Sequence, residues 1–384
     1  MVARSRWSVS ALTAVVSLGL VIFYSLYSLV PLTYADTPSL SSLYVGTMMT
    51  FVMAVQVFTP LFVRRFSLRT VLACSLSLLA AGAAATGFST TLAPLLIGAV
   101  ASGAGFGVLI VAGSQGVALL VAAPKLGRAL GTYGLITMAA TALGSPLGVH
   151  VALTFSPTAF GVSAAFAALI GIGASFGVPR GVGLHDTGLP SALASTQQRK
   201  LQELFSSIPW QVMVLLLIAV VMLSHGLSSL PVSAAAFGGA AVVVFAVQIG
   251  NALGRALGGE CEARLGTNAT IIVGVLLLAA GGTLGVFVQD ASITMVSAVL
   301  LGAGVGIVQT VALHTAMQRM TPGRASVVWN LSVDAGLWVG GILWGLALTG
   351  GFVVAGVWLV SSAAVIAGVG VVLQLRNNGA RLAR

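Results

Sequence analysis

Along this chain apolar residues gather in long runs, and most charged residues lie in the gaps between them or at their ends. Twelve runs approach or exceed the 20 or so residues a helix needs to cross about 30 Å of hydrocarbon. They cover residues 8–31, 41–63, 69–88, 92–120, 127–153, 157–178, 209–231, 233–254, 268–288, 292–315, 325–348 and 351–375. Each run is apolar all round and rich in Leu, Ala, Val and Gly. A strand of a membrane barrel would instead alternate polarity over about ten residues. Helices satisfy their backbone groups internally and are the spanning element that fits. The pattern predicts an all-α membrane protein with twelve transmembrane helices.

Composition sharpens this, because 58% of residues are hydrophobic and only 6% charged, where a soluble domain carries about a quarter charged. A net charge of +10 would point to nucleic acid in a soluble chain; here the positions of the charges report orientation. With the N-terminus inside, Arg4, Arg6, Arg64, Arg65, Arg69, Lys125, Arg128, Arg180, Arg199, Lys200, Arg255, Arg264, Arg319, Arg324, Arg376, Arg381 and Arg384 all fall in cytoplasmic segments or at the cytoplasmic ends of runs, as the positive-inside rule requires. Both termini are therefore expected in the cytoplasm and the chain in a cytoplasmic (inner) membrane, among lipids and without a nucleic-acid partner. The outer gaps carry Asp36 and Asp290. The first run follows Arg4 and Arg6 as a signal peptide would, with Thr33 to Ala35 as the cleavage site, but the repeat described next needs that helix. Cys74, inside the third run, and Cys261, in a cytoplasmic gap, are not expected to form a disulfide.

The longest interruption, residues 179–208, holds Arg180, His185, Asp186, Arg199, Lys200 and Glu203 among Gly, Pro, Ser and Gln. It reads as a cytoplasmic linker between an N-terminal six-helix bundle, 1–178, and a C-terminal one, 209–384. The halves repeat. "LLAAG" occurs at Leu78 and Leu277, and "GAGFG" at Gly103 answers "GAGVG" at Gly302, both 199 residues apart (277 − 78 and 302 − 103). The same offset pairs Arg65 with Arg264 and Ser67 with Gly266, and one of 196 pairs "GRA" at Gly127 with "GRA" at Gly323.

Two six-helix pseudo-repeats joined by a cytoplasmic linker resemble the major facilitator superfamily along nearly the whole chain. The resemblance implies a substrate site near the midplane between the halves. The family's motif between helices 2 and 3, Gly-x-x-x-Asp-Arg-x-Gly-x-Arg, is matched by "TPLFVRRFSLR", Thr59 to Arg69, with Arg65 and Arg69 in basic positions. Thr59 and Ser67 stand where the family has glycine, and Arg64 where it has the acid. The second copy, "GECEARLG", keeps Gly259, Arg264 and Gly266 but puts Ala263 in the acidic slot beside Glu262. Arg65, Arg69, Arg264 and Gly266 are thus candidates for the gating loops, with topology anchoring as the plainer role. Proton-coupled exporters of the family carry an Arg on helix 4 where this chain has Ala99. Their Gly-Pro-x-x-Gly-Gly on helix 5 has a shifted counterpart in Gly144, Pro146 and Gly148, candidates for a helix bend. The resemblance favours export slightly over uptake.

Polar residues inside the runs are few. Gln56, Gln115, Gln309 and Asn330 suit interhelical hydrogen bonds. Helices 1, 4, 7 and 10 line the cavity by resemblance, which makes Gln309 a candidate substrate contact and Gln115 another. Tyr24 and Tyr27, with Phe23, either line the cavity or form an interfacial belt. His225 lies about 22 Å into the seventh run and is a candidate for proton coupling; His150 and His314 sit near helix ends. The sharpest candidate is Asp334, the one carboxylate placed within hydrocarbon. An ionised group at the bilayer centre costs at least about 2.5 to 3.5 kcal/mol. Asn330 and Trp338 flank it one turn away on the same face, so it either hydrogen-bonds a neighbour or binds a proton or a cationic substrate.

Enzymatic readings fare poorly. "AGSQG", Ala112 to Gly116, has the look of a nucleophile motif but lies inside a spanning run, without the strand-turn-helix setting. There is no phosphate-binding Gly-rich loop with Lys and no metal-ligand spacing. The sequence leads to a monomeric, proton-coupled secondary transporter, with no cofactor and no metal, that exports a small, largely apolar or weakly cationic molecule. An uptake permease or a membrane receptor are the alternatives.

Overall fold

Proline and glycine decide where several helices of this chain stop or turn. The computed structural model describes residues 2–56, 58–89, 91–121, 126–182, 208–287, 290–320 and 322–382. The first six runs form α1 (Val2–Thr33), α2 (Pro38–Gln56) followed by the short α3 (Thr59–Phe66), α4 (Leu68–Gly87), α5 (Leu92–Leu120), α6 (Leu126–Thr154) and α7 (Pro157–Ser175). The last six form α8 (Trp210–Leu227), the short α9 (Ser229–Ala234) with a 3-10 turn at Ala235–Phe237, α10 (Ala240–Phe287), α11 (Ala291–Arg319), α12 (Pro322–Gly350) and α13 (Val353–Leu382). No strand occurs among the described residues.

Among those residues, eleven helices are long and apolar enough to span a membrane. One of them, α10, has 48 residues. At 1.5 Å per residue it would be about 72 Å long, more than twice the hydrocarbon thickness. Gly266, at φ 78° and ψ 162°, leaves the helical region and folds α10 into two limbs, so eleven helices supply twelve crossings. A glycine alone turns the chain here, where the sequence suggested a loop.

Two runs read as single helices are each in two pieces. α2 ends at Gln56 and α8 at Leu227, each four residues before a proline, Pro60 and Pro231. Proline offers no N–H to the carbonyl four residues back, and the chain swings out of the helical region at Ser228 (φ −122°, ψ −72°) before α9 begins. Pro31 and Pro146, by contrast, are carried inside α1 and α6. The eighth run begins only at Ala240, after Gly238 closes the 3-10 turn at φ 70°. Asp290 caps α11 by accepting from the backbone N–H groups of Ser292 and Ile293.

The chain divides into two compact units, Met1–Asp186 and Thr187–Arg384. Of the expected linker, residues 183–207, with His185, Asp186, Arg199, Lys200 and Glu203, lie outside the described residues, as does Lys125. The two units pack internally alike. In the first, Gly103 and Gly107 of α5 press on the carbonyl oxygens of Met48 and Val52 in α2. In the second, Gly302 and Gly306 of α11 press on those of Val247 and Asn251 in α10, each position 199 residues on. Gly105 against Ser75 and Leu79 likewise becomes Gly304 against Gly274 and Leu278. Small residues let helix backbones touch where lipid provides no hydrophobic drive. Even the turn repeats, because Ser67 (φ 65°, ψ 152°) holds nearly the conformation of Gly266.

The polarity of the surface is inverted relative to a soluble protein. Leu143, Leu147, Phe166, Leu169, Leu276, Leu359 and Ile366 are all more than half exposed, while Ser25, Ser102, Ser224 and Ser297 are fully buried. Water would not tolerate so continuous an apolar surface; lipid covers it.

Candidate coupling and substrate site

Gly336 and Gly340 set how α12 packs. A Cβ at Gly336 would stand 2.8 Å from the Leu217 carbonyl oxygen of α8, and one at Gly340 3.1 Å from that of Val221, so the two helices touch backbone to backbone. One turn further, the fully buried Trp344 donates its Nε1–H to the Val221 carbonyl oxygen at 2.7 Å. Each residue turns about 100° around a helix, which carries Asp334, two before Gly336, well away from the α8 contact. Asp334 is only 6% exposed. Asn330 and Trp338 share its face and are half-buried.

His225 occupies the last turn of α8, beside the break that Pro231 imposes. The Ser229 hydroxyl shares a 2.5 Å hydrogen bond with Nδ1 of the ring and lies 3.4 Å from the His225 backbone oxygen. Nε2 has no hydrogen-bond partner in the protein although His225 is 1% exposed. The imidazole lies 4.8 Å from the Trp344 ring. Trp344 is ten residues, about 15 Å along α12, from Asp334, so the two proton-coupling candidates stand at different depths.

Gln309 is buried in α11, and its side-chain oxygen accepts from Arg255 Nε at 2.7 Å. Its backbone oxygen accepts from the indole N–H of Trp329 at 3.0 Å, and the guanidinium lies 5.0 Å over the Trp329 ring. The amide proposed as a substrate contact thus holds an arginine in this structure. The segment around Arg255, expected as a gap, is helical, and Arg255 sits within α10, five residues before Glu260. Gln248, Asn251 and Arg255 recur at i, i+3 and i+7, one face of the helix. That spacing is legible in the sequence. Further along the same face, the Glu262 carboxylate accepts from Thr267 Oγ1 at 2.8 Å across the Gly266 turn and pairs with His314 Nδ1 of α11 at 2.9 Å. Arg264 pairs with Glu260 at the exposed surface.

In the first unit, Phe23 of α1 stacks on Phe106 of α5 with centroids 3.6 Å apart, and Tyr24 meets Phe106 edge-on. Tyr27 is fully buried, which removes it from a lipid-facing belt. Gln115 is half-buried, with no protein partner for Oε1. Gly144 packs on Val21, and Gly148 on Ser25 and Phe160, to either side of the buried Pro146. Arg65 is exposed, next to the Phe66 ring. Arg69 does something the resemblance did not suggest. Its Nε and Nη2 donate to the carbonyl oxygens of Val178 (2.6 Å) and Phe176 (2.7 Å), and its guanidinium lies over the Phe176 ring. It ties off the end of α7, where carbonyls lack helical partners.

The twelve crossings, the duplicated packing and the buried polar residues meet a direct comparison. A family model for the Major Facilitator Superfamily matches residues 9–337. The chain belongs to that superfamily. A search of curated proteins returned no match. Among solved structures, the nucleoside transporter NupG is similar with a TM-score of 0.76 at 10% identity, over 94% of this chain and 98% of that one. A POT family transporter in complex with 5-aminolevulinic acid has a TM-score of 0.76 at 12% identity over 95% of each chain. A bacterial homologue of the human lysosomal transporter Spinster, inward-facing and unoccupied, has 0.65 at 14% identity over 96% of each. Identities this low establish the fold. The superfamily and these neighbours make the chain a multi-pass membrane protein of a secondary-transporter family. Within it, this member departs from the motif glycine at Ser67 yet keeps the backbone shape that glycine serves.

Proposed function

We propose that this superfamily member moves a small organic molecule across the cytoplasmic membrane by alternating access, with its halves, 1–178 and 209–384, rocking about the linker 179–208. Protons entering down their gradient drive export, both termini lie in the cytoplasm, and the protein acts as a monomer without catalytic residues or cofactors. The observation that carries the reading is Asp334, 6% exposed on a helix that spans the membrane. A protonated carboxyl is tolerated in hydrocarbon, while its ionised form costs at least about 2.5 to 3.5 kcal/mol there. Loading and unloading of a proton is therefore tied to which side hydrates the residue. Asn330 and Trp338 on the same face, and Tyr24, Tyr27, Gln115 and Gln309 on helices that line the cavity by family likeness, are the proposed surroundings. Arg65, Arg69, Arg264 and Gly266 are assigned to the cytoplasmic gate, and Gly144, Pro146 and Gly148 to flexing of α6.

The test reconstitutes the purified protein in liposomes with labelled compounds that include a nucleoside, a dipeptide and 5-aminolevulinic acid, classes bound or carried by proteins of this fold. A pH gradient should drive accumulation of at least one. Asp334→Asn, which keeps size and hydrogen bonding but cannot titrate, should lose accumulation at least tenfold while retaining downhill exchange. Gradient-driven accumulation undiminished in this variant would remove Asp334 from coupling.

A further inference from the structure

The two halves of the molecule are built on the same backbone contacts, so a residue that differs between them while the contact stays the same is not demanded by packing. Along α10 the face formed by Gln248, Asn251 and Arg255 corresponds, 199 residues earlier, to Met49, Val52 and Gln56 of α2. Both helices receive their partner through glycines at matching positions, Gly302 and Gly306 on α10, Gly103 and Gly107 on α2. The first half makes this contact with two apolar residues and one amide; the second uses two amides and a guanidinium. The stripe turns away from the lipid side of α10, where Leu253 and Leu257 are exposed.

The amides are not serving as glue. Gln248 and Asn251 are each 7% exposed, and Gln248 Nε2 and Asn251 Oδ1 have no hydrogen-bond partner in the protein. Burying such an atom unsatisfied costs about 1–3 kcal/mol, and a visiting group that supplies the partner recovers it. Below them Arg255 is held in a fixed plane, its Nε on Gln309 and its face over Trp329. A pre-oriented guanidinium suits two-pronged recognition of a carboxylate or phosphate.

We propose that the Gln248–Asn251–Arg255 stripe binds an organic anion that carries an amide or hydroxyl group about 5–10 Å, the span of one to two helical turns, from its carboxylate or phosphate. This names the substrate class of the transporter proposed above and rests on that reading only for the word substrate. It replaces the apolar or weakly cationic molecule expected from the sequence. Arg255 takes the anionic end, Asn251 accepts a hydrogen bond from the distal group, and Gln248 donates one to it.

The full-length protein in lipid nanodiscs tests this by thermal stabilisation and tryptophan emission, the latter reporting through Trp329. The probes are glutaramate, with carboxylate and amide on one chain; glutaramide, its uncharged diamide; butyrate, which lacks the amide; and inorganic phosphate. Glutaramate should bind saturably, with glutaramide and butyrate at least tenfold weaker. Arg255→Gln should weaken glutaramate at least tenfold, with Arg255→Lys in between. The triple swap Gln248→Met, Asn251→Val, Arg255→Gln installs the first half's own residues; it should abolish binding yet stay monodisperse, with a melting temperature at or above that of the parent. Phosphate binding lost in the same variants would assign the phosphate-bearing form of the ligand. The proposal falls if glutaramate binds the triple variant unchanged, if glutaramide binds equally well, or if no probe binds the parent. Transport of some compound by the parent at a rate the triple variant matches would keep the transporter and discard the stripe. Stripe-dependent binding with no transport of anything would do the reverse.

Discussion

Ser67 shows what one residue can conceal. Its φ of 65° with ψ of 152° is a conformation that suits glycine, and a non-glycine residue held in such a region costs about 1–3 kcal/mol. The site is over-determined by its surroundings: Leu68 N–H donates to the Val182 carbonyl, Val71 N–H to that of Ser67, and the Ser67 and Thr70 hydroxyls are 3.2 Å apart. Ser67→Gly should therefore stabilise the protein by about 1 kcal/mol, the relief of strain less glycine's own entropy cost, and raise the unfolding temperature measured in detergent. Gly266→Ala, at the equivalent turn, should lower it by about 1–3 kcal/mol. A fall with Ser67→Gly would mean that the hydroxyl contact outweighs the strain.

Among the elements, α8 and α10 depart furthest from uniform spanning rods. Every residue from Ala219 to Pro231 is buried, and the break sits inside this enclosed stretch because Leu227 has no N–H to accept from. Pro231→Ala restores that donor. In hydrogen–deuterium exchange the new amide should be at least tenfold protected relative to the unstructured rate, as α8 and α9 join; fast exchange there would assign the break to Ser228 and the neighbouring packing instead. The α5–α2 and α11–α10 contacts make a paired prediction. Gly103→Val and Gly302→Val each drive a side chain into the partner's backbone, at Met48 and Val247, and should lower the yield of folded protein to a similar degree. A large disparity between the two would show that the repeated geometry carries unequal weight.

For the whole molecule, the distribution of Lys and Arg predicts an orientation, with both termini in the cytoplasm, that the two native cysteines can test. Cys74 lies on the exposed, lipid-covered side of α4, and Cys261 near the Gly266 turn. A membrane-impermeant maleimide should label Cys261 in inverted vesicles and leave it untouched in intact cells, while Cys74 resists labelling in both. Labelling of Cys261 from outside intact cells would overturn the expected topology.

The sequence determined the kind of element and how many times the chain crosses, while proline and glycine redrew the boundaries of α2, α8 and α10. Runs such as Leu92 to Leu120 can only be helices in hydrocarbon, and the offset of 199 residues already contained the matching glycine contacts of the two halves. Asp334 was conspicuous for the same reason: a charge stands out where the solvent excludes charge. What the sequence left open was which polar residues meet, because partners such as Arg255 and Gln309, 54 residues apart, are joined by the approach of two helices and by no local pattern. Arg69 reads as a loop cation until α7 ends beside it. Gln248 and Asn251 read as ordinary helix residues until burial leaves two of their atoms without partners, a cost that arises only once the helices have packed.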